Sequence, residues 1–118
     1  MRGVKMILYH AADLLWASKI KTTAESLGVA ARPVRTVEML TARLADSPVR
    51  ALLVDLDAEV VAFALLECVK GRNDVRKLAY GPHVQGESFL KAKAIGAAIT
   101  SRGSLNASLE ATLVDLDR

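Results

Sequence analysis

Asp55 closes the apolar run Ala51-Leu52-Leu53-Val54, and Asp57 follows two residues later. A carboxylate at the end of a buried run can accept a transferable group, or hold a hard cation if other oxygens converge on it. A second apolar run, Met6-Ile7-Leu8-Tyr9, ends in His10-Ala11-Ala12. Methyl groups therefore stand where a partner acidic cluster would be needed to bind a metal beside Asp55. His10 and His83 are the only histidines. With a carboxylate they form a donor set for zinc or another transition metal, but no tight spacing such as H-x-x-x-H joins them. General acid–base work would also need a nucleophile or substrate that the sequence does not display. The expectation is two hydrogen-bonded loop histidines, no metal and no cofactor.

Other motif chemistry is thin. Neither G-x-x-x-x-G-K-[ST] nor G-x-G-x-x-G occurs, so no phosphate loop is expected. Gly103 and Ser104 precede a helical stretch and read as an ordinary helix start. Trp16 falls early in a helix and is expected to pack rather than stack a ligand.

The elements that must position Asp55 follow from periodicity. Met6–His10 is a compact apolar run, hence a buried strand. Asp13 caps a helix through Leu27, with Gly28 just past its end. Val29–Arg35 is a weak strand. Pro33 lacks a ladder donor, which sends this strand to a sheet edge. Thr36 caps a helix through Ala45, with Val37, Leu40 and Leu44 on one face, and Asp46-Ser47-Pro48 breaks it. Arg50–Asp55 is apolar without alternation, as a central strand covered on both faces must be. A helix over Ala58–Val69, with Asp57 placed to cap it, leads to a strand at Val75–Tyr80. After Gly81-Pro82 come a helix over Gly86–Ile95, a strand over Ala97–Ser101 and a last helix opened by Ser104 or Asn106. Strands alternating with helices mean parallel pairing through right-handed crossovers. The result is a five-stranded three-layer α/β/α sandwich.

Composition narrows the class. The 118 residues suit one domain over 1–118. They are 52% hydrophobic and 25% charged, so the chain buries a core rather than staying disordered. Aromatics at 4% and a net charge of +3 argue against a nucleic-acid interface. Cys68 is the single cysteine. It reads as a small buried hydrophobe in a reducing, cytoplasmic compartment. No apolar run reaches membrane-spanning length.

With these elements in order, nearly the whole chain resembles a two-component receiver domain, the CheY-like, flavodoxin-like fold with strand order 2-1-3-4-5. In receivers the first strand ends in an acidic pair; Ile7-Leu8-Tyr9-His10-Ala11-Ala12 matches that frame and puts Ala11-Ala12 at the pair. The phosphoacceptor aspartate corresponds to Asp55. The Met-Pro that usually follows is replaced by Ala58-Glu59. The hydroxyl residue ending the fourth strand corresponds to Ala79 in Leu78-Ala79-Tyr80-Gly81, and the lysine ending the fifth corresponds to Arg102 in Thr100-Ser101-Arg102-Gly103.

The resemblance implies a degenerate receiver. Two alanines supply no oxygen to magnesium, which phosphoryl transfer needs to neutralise charge, and Ala79 has no hydroxyl. Arg102 can still pair with an anion or with Asp55. The expected function is a stand-alone, non-enzymatic signalling domain that works by protein contact. Receivers often pair through the fourth helix, fifth strand and fifth helix. That points to Phe89–Ile95 and Leu105–Leu113 as a homodimer surface. Two alternatives stand beside it. One is a working phosphoacceptor at Asp55. The other is a small-ligand or metal-binding domain, or an enzyme, at the carboxyl edge of the sheet, using His10, Asp55, His83 and Arg102, with Asp57 as a further pocket residue.

Overall fold

The computed structural model describes residues 5–82 and 86–118. His83 lies outside the described residues. The elements run β1 (Met6–His10), α1 (Leu14–Leu27), β2 (Ala31–Pro33), α2 (Val37–Asp46), β3 (Val49–Asp55), α3 (Glu59–Cys68), β4 (Arg76–Gly81), α4 (Glu87–Ile95), β5 (Ala98–Ser101), α5 (Arg102–Ala107) and α6 (Leu109–Leu116). The five strands form one parallel sheet in the order β2-β1-β3-β4-β5. This is the expected α/β/α sandwich.

Side-chain alternation along each strand divides the core into two layers. Leu8, Leu52, Val54 and Ala79 meet Leu40 of α2, Leu65 and Leu66 of α3, and Phe89 and Ala92 of α4. Ile7, Tyr9, Ala51, Leu53, Leu78 and Tyr80 meet Ile20 and Ala24 of α1, Leu105 of α5, and Leu109, Leu113 and Leu116 of α6. The central strand β3 is buried on both faces, which explains its unbroken apolar run.

Local chemistry sets the element ends. The Asp13 side chain accepts from the Trp16 N–H and the Thr36 hydroxyl from the Met39 N–H, so both helix starts are capped by the residues the sequence offers. Gly28 ends α1 at φ 72°, in the left-handed region that costs glycine least. The weak second strand shortens to Ala31–Pro33 at the sheet edge, where the missing N–H of Pro33 breaks no ladder.

Three expectations are corrected. The last helix begins earlier, at Arg102, because the Ser101 hydroxyl caps it by accepting from the Ser104 N–H. It then divides into α5 and α6 at Ser108, whose φ and ψ of −128° and 29° leave the helical range; its hydroxyl donates back to the Ser104 carbonyl. Asp57 does not cap α3; Ala58 holds the N-cap position, without a side-chain cap. Leu105, Leu109 and Leu113, expected on a self-association surface, are instead buried against the sheet. Their four-residue spacing is that of a core stripe.

Candidate functional site

Asp55 ends β3 on the face of Ala51 and Leu53, towards α1 and α5. Its residue surface is 0% exposed, and it is the one buried charged group among the described residues. A buried carboxylate must have its oxygens answered, and here they are. Oδ2 accepts from the Ala12 N–H at 2.9 Å. Oδ1 accepts from the Asp57 N–H at 2.9 Å and from Arg102 Nη2 at 3.2 Å.

Arg102 opens α5, directly after the β5 strand end. Its Nη2 also donates to Asp57 Oδ2, so one nitrogen joins the two carboxylates. That hydrogen bond to Asp57, followed by the charges of Asp55 and Asp57, raises the Arg102 pKa further against the opposing effect of burial. The guanidinium is charged at any pH the protein meets.

The backbone register places Tyr80, not Ala79, opposite Asp55. Ala79 faces the other layer, among the side chains of α3 and α4. Tyr80 is fully buried, and its hydroxyl has no hydrogen-bond partner among the described residues. Burial pushes the Tyr80 pKa far up, and the negative charge of Asp55 adds to the effect, so the phenol stays protonated. The Tyr80 ring packs on Trp16 with centroids 5.2 Å apart and planes tilted by 38°. Trp16 thus closes the site from α1, a role that its early helical position in the sequence did not reveal.

The remaining candidates separate. Ala11 is half-buried and Ala12 exposed, and Ala12 contributes its backbone N–H instead of a side-chain ligand. His10 continues the face of Leu8, opposite Asp55. Its Nδ1–H donates to the Val34 carbonyl at 3.0 Å, tying the end of β1 to the chain beyond β2. His10 is therefore not part of the Asp55 cluster, while Asp57 is.

Magnesium, the cation that the receiver resemblance implies, does not fit these residues. Alanines occupy the paired acidic positions, the Asp55 oxygens are bonded, and the cation between Asp55 and Asp57 is the Arg102 guanidinium. Among the described residues no group of three or more His, Cys, Asp or Glu side chains is placed to hold a metal ion.

No known family model matches the sequence, and no curated protein matches it. Solved structures do match. A response regulator from Thermotoga maritima shares 10% identity over 97% of this chain and 98% of its own, with a TM-score of 0.75. The chemotaxis response regulator CheY4 of Vibrio cholerae shares 14% over 96% and 98%, with a TM-score of 0.76. A CheY-like receiver domain protein from Methanospirillum hungatei shares 17% over 98% of both chains, with a TM-score of 0.71. At such identities the likeness is one of architecture: strand order, helix placement and length together make this chain a CheY-like receiver fold.

Proposed function

We propose that this chain is a non-enzymatic, receiver-like signalling domain that works by protein contact and does not take up phosphate through the magnesium-dependent route. One observation carries the reading: both Asp55 oxygens already accept hydrogen bonds, from Ala12, Asp57 and Arg102, and the cation beside them is the Arg102 guanidinium. In-line attack needs a carboxylate oxygen free to approach phosphorus and a cation to neutralise the developing charge. Here both oxygens already accept hydrogen bonds, and the cation is a guanidinium shared between Asp55 and Asp57. The salt bridge takes the place of a switchable phosphate and favours one fixed arrangement of the strand ends.

A contact domain of this kind fits a cytoplasmic setting. No helix among the described residues is long and apolar enough to cross a membrane. Self-association through α4, β5 and the C-terminal helices belongs to the same reading. Leu90, 68% exposed on α4, is its apolar contact.

Incubation with acetyl phosphate and Mg²⁺, followed by intact-mass measurement, tests the proposal. The expected result is an unchanged mass. A phosphoryl adduct that disappears in Asp55→Asn overturns it and makes Asp55 a working acceptor.

A further inference from the structure

A groove of about 1000 Å³ runs between α1 and α5 at the carboxyl edge of the sheet, lined by Asp13, Trp16, Lys19, Thr22, Arg102 and Asn106 among others. It reaches the upper end of the range typical of small-molecule sites, roughly 300–1,000 Å³. Neighbouring cavities among the described residues include ones of about 280 and 480 Å³.

The groove combines an apolar wall with unanswered donors. Trp16 is half-buried there, with the Lys19 ammonium 5.5 Å from its ring centroid. Lys19 forms no salt bridge among the described residues. Arg102 binds Asp55 and Asp57 through Nη2, while its Nε–H is buried with no partner. Unpaired buried donors are uncommon and mark places where an acceptor belongs. Asp13 also lines the groove, where its Oδ1 caps α1 and no ion pair joins it to Lys19 among the described residues.

We propose that this groove binds a small aromatic carboxylate, its ring against Trp16 and its oxygens towards Lys19 and Arg102. The aromatic part follows from the indole wall, because ring pairs gain more than their buried area alone. The carboxylate follows from Lys19, the groove cation that no carboxylate answers among the described residues; Arg102 shares its charge with Asp55 and Asp57 and adds a guanidinium edge. An ammonium would meet Lys19 as a like charge. The proposal goes beyond the contact function and does not rest on it, because Asp55 keeps its own bonds whether or not the groove is filled.

Titration of the full chain with 2-naphthoate, followed by backbone amide NMR shifts and by fluorescence of the single tryptophan, tests it. The expected result is saturable binding, with shifts confined to the first turns of α1 and to residues 102–106. Lys19→Gln, an exposed change that spares the core, is expected to weaken binding about fivefold, the loss of one partly solvated ion pair. 2-Naphthylmethylamine, with the same ring and the opposite charge, is expected to bind more weakly than 2-naphthoate. Equal binding of the amine, shifts that map elsewhere, an unaltered affinity in Lys19→Gln, or no saturation by about 10 mM, where affinity would be too weak for a built site, each overturns the proposal.

Discussion

Arg102 Nη2 stands 3.2 Å from Asp55 Oδ1 and bonds Asp57 as well, so one nitrogen joins carboxylates 47 and 45 positions away along the chain. Asp55 has no solvent to fall back on. Arg102→Gln should therefore leave a buried, uncompensated charge, and cost about 2–4 kcal/mol in urea unfolding, less than for a wholly buried pair because the arginine side chain is 28% exposed. Asp55→Asn removes the charge along with one acceptor site and should cost less. The double variant should fall short of the sum by about 1–2 kcal/mol. Strict additivity would mean that the bridge has no energetic weight.

The same bridge bars a metal, so restoring one requires two changes. Ala11→Asp with Ala12→Asp supplies carboxylates, and Arg102→Lys exchanges a fork that spans two carboxylates for a point charge. The triple variant should show a Mg²⁺-dependent change in Trp16 fluorescence and gain phosphoryl mass from acetyl phosphate. The double alanine replacement that retains Arg102 should show much less of either. If it binds Mg²⁺ equally well, the guanidinium is not the obstacle.

Architecture was legible in the sequence, because a buried parallel strand has an unbroken apolar run and a helix start needs a side-chain acceptor. Ala51–Val54, Asp13 and Thr36 carry those signals. The site was legible only in part. Side chains alternate along a strand, so an error of one residue moves a position to the opposite layer. That is how Ala79 came to be expected beside Asp55 where Tyr80 stands, since both fit an apolar strand end. Asp57 sits where a helix cap is wanted, yet a cation 45 residues away outcompetes the local N–H groups. Such a long-range partner leaves no trace in local spacing. The break at Ser108 was hidden too, because Leu105, Leu109 and Leu113 keep helical spacing across it.

Tyr80 ties stability to alkaline pH. Burial, then the Asp55 charge, raises its pKa in the folded state, whereas the unfolded chain titrates near the ordinary value of 10.0. The folded state thus holds the proton more tightly. The contribution is fully present below pH 10 and is lost as pH rises above it. Unfolding free energy should fall by up to about 1.4 kcal/mol per pH unit from this one group. Tyr9, raised by burial and by Glu25, contributes in the same direction. Urea unfolding from pH 9 to 11 should show the slope, and Tyr80→Phe should remove most of it. At neutral pH the same variant discards an unpartnered hydroxyl and should change stability by no more than about 1 kcal/mol. A slope unchanged in Tyr80→Phe would place the titrating group elsewhere.

The self-association reading now depends on α4 rather than on the C-terminal leucines. Leu113 is 0% exposed and Leu109 4%. Lysine at either position would bury an ammonium in the α1–α6 layer, at a cost of more than about 4 kcal/mol. Leu109→Lys and Leu113→Lys should therefore lose cooperative unfolding, and any change in their oligomeric state would report unfolding instead of a lost contact. Leu90 is exposed, so Leu90→Lys should stay within about 0.5 kcal/mol of the parent. Leu14, 82% exposed at the start of α1, provides a matched control on the opposite layer. Sedimentation velocity over a concentration series should show Leu90→Lys shifted towards monomer relative to the parent, with Leu14→Lys unchanged. If Leu14→Lys is the variant that dissociates, the contact face lies on α1. If neither shifts, the α4 face carries no self-association and its partner is a different protein.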